Sequence, residues 1–212
     1  MKSRLAFLHT SPPAIAPLMR YYGREAPEFG IVNLLDDGIL EHFRSGDEAA
    51  AESALGELLH RACTSYGVKA ALVTCSSVSQ SMLESLRRRS PVPLLKVDVP
   101  MAEEAMRRGK RIGVAYTFAP TLSPTTALFD GRAEVHPLWI QGAYDALLAG
   151  NPEEHDRLVL QGLETVREMG VEVIVLAQVS MARVLPQLRE DFEVPVLSSL
   201  ETSLRALRDT LA

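Results

Sequence analysis

The sequence predicts an α/β protein made of two similar halves, each a parallel β-sheet with helices on both faces. Three observations carry this. Short apolar runs alternate with amphipathic stretches along the whole chain, the pattern repeats internally with a period of about 100 residues, and Gly67 and Gly170 stop the two longest helical patterns. The 212 residues, 47% of them hydrophobic, suffice for one large core or two small ones.

In chain order the predicted strands are LAFLH from residue 5, FGIVNLL from 29, AALVT from 70 and VPLLKV from 92 in the first half. IGVAY from 112, AEVHPLWI from 133, VIVLA from 173 and VPVLSS from 194 follow in the second. Each is a short apolar run, as a strand covered on both faces should be. Helical periodicity fills the spaces between them, most clearly over Glu48–Tyr66 and Pro152–Met169. Alternating β and α in this way builds parallel sheets.

The duplication is legible residue by residue. Arg4-LAFLH-Thr10 matches Arg111-IGVAY-Thr117 at an offset of 107, and Gly38-ILEHFRS-Gly46 matches Gly142-AYDALLA-Gly150 at 104. Gly67-Val68-Lys69-AALVT-Cys75 matches Gly170-Val171-Glu172-VIVLA-Gln178 at 103, and VPLL at 92 matches VPVL at 194. A drift of a residue or two is what small loop deletions produce, and a period this long means two domain-sized units. We expect a first unit from residues 1–99 plus 196–212, carrying Cys75, and a second from 100–195, carrying Gln178, with the final helix crossing back to the first.

Composition narrows the function. The net charge is −5 and the one basic run, Arg87-Arg88-Arg89, reads as a solvated helix end, so no nucleic-acid groove is expected. No segment reaches the length of apolar chain that spans a bilayer, and the N-terminus reads as a first strand rather than a signal peptide. Cys63 and Cys75 have neither metal nor disulfide spacing, which points to a cytoplasmic protein with free thiols. There is no GxGxxG after the first strand, no phosphate-binding Walker loop and no HExxH, so neither a cofactor nor a metal is expected.

Parallel sheets bind ligands beyond the carboxyl ends of their strands. Those ends carry His9-Thr10, Asp36-Asp37, Cys75-Ser76-Ser77, Thr117 and Gln178-Val179-Ser180. Cys75 is either a small buried residue closing a strand or a reactive thiol, made more acidic by a helix expected to start beside it. Cys63, on an apolar helical stripe, reads as core. Ser76, Ser77 and Ser79 serve as helix caps, as carboxylate ligands, or as both. Thr10 and Thr117, with Thr121 nearby, are turn residues or matching halves of an anion site. His9 is a hydrogen-bonded strand end or a general acid/base, and Asp36 and Asp37 read as helix caps. Gln178 exchanges no proton at neutral pH, so it either satisfies a buried loop or orients a substrate and stabilises an oxyanion.

These residues resemble the aspartate/glutamate racemase superfamily, which includes hydantoin racemases, maleate isomerases and arylmalonate decarboxylases. The resemblance rests on VTCSS at 73–77, RIGVAYT at 111–117, VIVLAQVSM at 173–181 and the VPLL and VPVL strands. It implies two pseudo-symmetric, Rossmann-like α/β domains with the site in the cleft between them. It also implies a small carboxylate-containing substrate, no cofactor, and a homodimer. Two-base racemases of this group place one cysteine after a strand in each domain. Cys75 matches the first position, whereas Gln178 stands at the second, and Val179-Ser180 stand where Thr and a polar residue are common. The expected catalytic pair is therefore Cys75 and Gln178, with His9, Thr10, Ser76, Ser77, Thr117, Thr121 and Ser180 binding substrate. The expected activity is that of an isomerase or racemase with one thiol. A one-thiol lyase and a catalytically inactive carboxylate-binding relative are the alternatives, and Tyr116, Trp139 and Met181 are candidates for side-chain selectivity.

Overall fold

A computed structural model describes residues 2–212 and contains two four-stranded parallel sheets. In the first, β1 (Ser3–His9) is flanked by β2 (Phe29–Leu35) and β3 (Ala70–Val73), and β4 (Leu94–Lys96) closes the edge, giving the order β2-β1-β3-β4. The second repeats this as β6-β5-β7-β8 from β5 (Arg111–Tyr116), β6 (Glu134–Trp139), β7 (Val173–Leu176) and β8 (Val196–Leu197). Six of the eight strands fall within the apolar runs expected from sequence, and β1 and β5 begin two residues and one residue before theirs. Those that carry the site, β3 and β7, are buried along their whole length.

The helices are α1 (Ile15–Glu25), α2 (Ile39–Ser45), α3 (Glu48–Tyr66), α4 (Gln80–Arg89), α5 (Val99–Arg108), α6 (Leu122–Thr126), α7 (Ala143–Leu148), α8 (Pro152–Glu168) and α9 (Ser199–Leu211). Their ends follow local chemistry. The Asp47 carboxylate caps α3 by accepting from the Ala50 amide at 3.0 Å, and Gly67 ends it in the left-handed region at φ 58°. Asn151 caps α8 in the same way, with Pro152 at its first position. Among the described residues no helix is long and apolar enough to cross a membrane.

The connection between the halves is reciprocal. After β4, α5 packs Met101, Ala102 and Ala105 against Ile112, Val114 and Val173 of the second sheet. After β8, α9 packs Leu200, Leu204 and Leu207 against Leu5, Phe7, Leu18 and Tyr22 of the first. Each half thus lends its last helix to the other. The unit boundary expected at 196 falls inside the second sheet, because Val196 and Leu197 pair with Ile174 and Val175. The chain crosses only after Leu197, where pairing stops and the apolar stripe of α9 needs the first half to cover it. Tyr22 and Ser203 seal that contact with a buried hydroxyl pair at 2.9 Å.

Candidate active site

Both sheets turn the carboxyl ends of β3 and β7 toward one cavity of ≈ 30 Å³, and the side chains around it come from both halves. The first half supplies Thr10 and Ser11 after β1, Leu40 on α2, and Thr74 to Ser77 after β3. The second supplies Phe118 and Thr121 after β5, Tyr144 on α7, and Gln178 to Ser180 after β7. Cys75 and Gln178 therefore line one space, as their matched positions implied.

The walls are joined by hydroxyls. Ser76 donates across the cleft to the Ala177 carbonyl at 2.5 Å, and Ser77 and Thr121 share a hydroxyl contact at 3.3 Å. The Gln178 amide is anchored at both ends: its oxygen accepts from the Thr117 amide at 3.1 Å, and its nitrogen donates to Thr121 Oγ1 at 3.1 Å. An amide nitrogen carries two donors, so one N–H of Gln178 is left over. Ser180 lines the same cavity, and its buried hydroxyl has no partner among the described residues. A buried hydroxyl without a partner costs free energy unless something arrives to bond it.

The surroundings of Cys75 differ from expectation in a way that matters. The following helix, α4, starts at Gln80 with Ser79 as its cap, and Ser79 accepts from the Met82 amide at 3.3 Å. Residues 74–79 form an intervening loop. The thiol therefore does not sit at a helix N-terminus, and burial pushes it above its ordinary range. The Thr10 hydroxyl, the Ser77 amide and the charge of Lys96 act in the opposite direction. In the second half, a 3-10 helix, Val179–Gln187, replaces the loop and α4. Cys63 lies on α3 at the edge of the first core, away from the cavity.

Two expected ligands stand elsewhere. His9 is buried behind the wall, with Nδ1 2.8 Å from Thr74 Oγ1 and Nε2 2.9 Å from Asn33 Oδ1. Both ring nitrogens are engaged, and burial lowers its proton affinity, so it supports Thr74 instead of facing a ligand. Thr117 spends its amide and hydroxyl on Gln178 and borders a neighbouring open groove of ≈ 650 Å³. Asp36 accepts from the Gly38 amide at 3.0 Å in a tight turn before α2, whose N-cap is Gly38 with no side-chain cap bond, so neither Asp36 nor Asp37 caps the helix as expected. Of the selectivity candidates, Trp139 is half-exposed along that groove, whereas Tyr116 and Met181 are buried in core clusters.

Sequence reading passed over Ser11, Phe118 and Tyr144. Phe118 lies between the cavity and the groove, against the Tyr144 ring at 5.3 Å and beneath the Arg44 guanidinium at 5.5 Å. The Tyr144 phenol is the other readily ionisable side chain on the cavity wall besides Cys75. Burial raises it, and the Ser11 hydroxyl opposes that rise. The duplication held a signal for it: Gly142-Ala143-Tyr144 matches Gly38-Ile39-Leu40, and both Leu40 and Tyr144 reach the cavity. Among the described residues no three His, Cys, Asp or Glu side chains converge as a metal-ligand set.

Comparison with known proteins agrees with this architecture. A glutamate racemase of Trichodesmium erythraeum is 33% identical over 97 residues, a stretch that spans 45% of this chain and 36% of that enzyme. A glutamate racemase of Bacillus anthracis superimposes with a TM-score of 0.74 at 18% identity, covering 99% of this chain and 81% of the other. An allantoin racemase of Klebsiella pneumoniae gives 0.72 at 17%, covering 99% and 88%. The family model of the Asp/Glu/hydantoin racemases matches residues 18–207. The two interlocked four-stranded sheets and that match across nearly the whole length assign the chain to the Asp/Glu/hydantoin racemase family.

Proposed function

We propose that this protein is a cofactor-independent isomerase that moves a proton at the carbon beside a carboxylate or carbonyl of a small substrate, with Cys75 as its thiol acid/base. The observation that supports this most is the shared cavity, in which the one thiol on the wall faces an anchored amide and a ring of hydroxyls. Ligand sites commonly enclose about 300 Å³ or more, and this cavity is ≈ 30 Å³. The halves must part for a substrate to enter, which breaks the Ser76–Ala177 and Ser77–Thr121 contacts. The hydroxyls so released, with Thr10, are then placed to bind the substrate carboxylate.

The Cys75 thiolate takes the α-proton and negative charge moves onto the substrate oxygen. The spare N–H of Gln178 and the hydroxyl of Ser180 donate to that oxygen, and a donor fixed beforehand is worth more than one that must reorganise. Gln178 returns no proton. Return from Cys75 alone gives exchange without inversion, so inversion needs a donor on the wall belonging to the second half. Tyr144 is the side chain on that wall with an ionisable proton to give. The reading places the enzyme in the cytoplasm, where Cys63 and Cys75 stay reduced, and carries forward a homodimer.

The test is α-proton exchange in D₂O, followed by NMR over a panel of amino acids, hydantoins and small dicarboxylates. The expected result is deuterium wash-in that Cys75→Ala abolishes. Exchange indifferent to that change overturns the role of Cys75. Release of CO₂ from malonates would move the protein to the lyases, and a thermal shift without turnover would make it a carboxylate-binding protein.

A further inference from the structure

Behind Cys75 lies a buried ion pair that neither the fold nor the site described so far requires. Lys96, the last residue of β4, is 1% exposed, and Asp98 is fully buried. Their nearest charged atoms, Nζ and Oδ2, are 3.2 Å apart. A buried pair of this kind is poor evidence of stabilisation, since desolvation offsets much of the attraction. Asp98 stands at the N-cap of α5, yet its side chain makes no cap bond. Neither carboxylate oxygen accepts a directed hydrogen bond from any described residue. A carboxylate that neither caps its helix nor completes its hydrogen bonds leaves one obvious partner, the Lys96 charge.

That charge is aimed at the thiol by strand register. Val73 pairs with Lys96 across β3 and β4, and partners in a parallel pair share a face. Cys75 lies two residues beyond Val73, in the loop that follows β3. It packs with Val73 and Leu94, the residue two before Lys96, in the first core cluster. The Lys96 charge favours the thiolate, and Ser76, the next residue, comes near Asp98 while its hydroxyl donates to the Ala177 carbonyl.

The duplication supplies an internal control. VPLLKVD in the first half matches VPVLSSL in the second, so Ser198 stands for Lys96 and Leu200 for Asp98. The half that ends its inner strand in a thiol carries the cation and the acid, whereas the half that ends it in an amide carries neither.

We propose that Lys96 and Asp98 set the charge of Cys75: the Lys96 ammonium is one counter-ion shared by two acids, which hold a single proton between them. This rests on reading Cys75 as the working thiol. At rest the proton is on Sγ and Asp98 carries the negative charge. When the thiolate forms, the S–H bond breaks and an O–H bond forms on Asp98. Lys96 stays protonated and the net charge of the trio does not change. The other ionisable or charged groups around the thiol are Tyr144 on α7, His9 on β1 behind Thr74, and Arg44 on α2 above Phe118. Burial disfavours the charged forms of His9 and Tyr144 and Arg44 lies beyond Phe118, which leaves Lys96 and Asp98 as the deeply buried charges of this half.

The experiment titrates the thiol by its ultraviolet thiolate absorbance in the full chain carrying Cys63→Ser, with the double variant lacking Cys75 as blank. It needs no substrate. Lys96→Met is expected to move the Cys75 titration up and Asp98→Asn to move it down, each by about one pH unit or more, the size expected for a charge in direct reach. A merely structural ion pair would move the two in the same direction or leave both in place, and either outcome overturns the proposal. If Lys96→Met fails to fold, Asp98→Asn decides together with amide hydrogen exchange of residues 73–77: a lowered titration with unchanged protection supports the proposal, whereas lowering with lost protection is the effect of exposing a thiol that burial holds up and overturns it. Opposed shifts in a protein that exchanges no α-proton would leave this proposal standing and overturn the catalytic one. The reverse pattern would do the opposite.

Discussion

The two halves of the cavity wall are copies that have diverged just beyond the ends of their inner strands. Thr10 and Thr117 follow the central strands, Ser77 and Ser180 follow the inner ones, and Leu40 and Tyr144 reach in from matched short helices. Against this shared frame the first half ends its inner strand in Cys75 and the second in Gln178. The first half keeps small residues after its central strand, Ser11 and Ala14, where the second has Phe118 and Thr121. Thr121 is the side chain that anchors the Gln178 amide. The substitutions therefore belong together: one half presents a thiol, the proton carrier of the proposed mechanism, and the other an amide held in place by its neighbours. On that proposal a symmetric fold has a basic side and a binding side.

Removing the basic side should have the largest effect. Cys75→Ala is expected to lower α-proton exchange by about 10²–10⁴-fold, the usual contribution of a positioned acid/base, with little loss of binding measured by thermal shift. The pH profile of the parent has a definite sign. Burial holds the thiol above its ordinary range, so less thiolate is present at neutral pH and exchange should climb as pH rises into the alkaline range. A rate that falls over that range would place the working group elsewhere.

Tyr144→Phe asks whether the amide side still delivers a proton. The expected outcome splits two readouts: inversion falls about tenfold or more, while same-face exchange through Cys75 persists. Equal loss of both would make Tyr144 a wall residue. Gln178→Cys then makes the two sides alike. With Thr117 and Thr121 still in place, a second thiol should raise inversion relative to exchange by about tenfold, read by polarimetry against NMR wash-in. A folded, substrate-binding variant with no gain would break the facing-pair model.

Much of this comparison was legible in the sequence, because strands and their order depend on apolar runs and stop signals that are local. VIVLA and AALVT are buried strands wherever they occur, and Gly67 and Gly170 end helices by backbone freedom alone. The matched positions of Cys75 and Gln178 followed from the same alignment. What was not legible depends on three-dimensional placement. His9 is on a strand end but points behind the wall, since a one-residue step along a strand reverses the side chain. The acidity of Cys75 was misjudged because its helix begins four residues later than the serines suggest, and burial then outweighs any dipole. Tyr144 reads as an ordinary amphipathic residue until α7 is packed over the cleft.

The reciprocal exchange of α5 and α9 lets the two unlike halves work as one, and its electrostatic clasp should give the smallest effect. Glu104 on α5 bonds Arg107 and Arg108 of its own helix and meets Arg205 of α9 at 3.2 Å. The bonds from Arg107 and Arg108 hold its carboxyl at about 2, well below the ordinary range. The sign follows from linkage. The unfolded chain takes up the proton first as pH falls, so the contribution is full above the ordinary carboxylate range and disappears as pH drops toward about 2. Because the arginines are exposed, the expected cost of Glu104→Gln at neutral pH is about 1 kcal/mol or less. Denaturant unfolding at neutral and at acid pH would show it, with the difference between parent and variant closing at the acid end. Exchange activity should be unchanged, because the clasp lies on the helices lent between the halves and not on the wall where they differ. A variant that lost activity while keeping its stability would mean that the interlock also sets how the halves close on substrate.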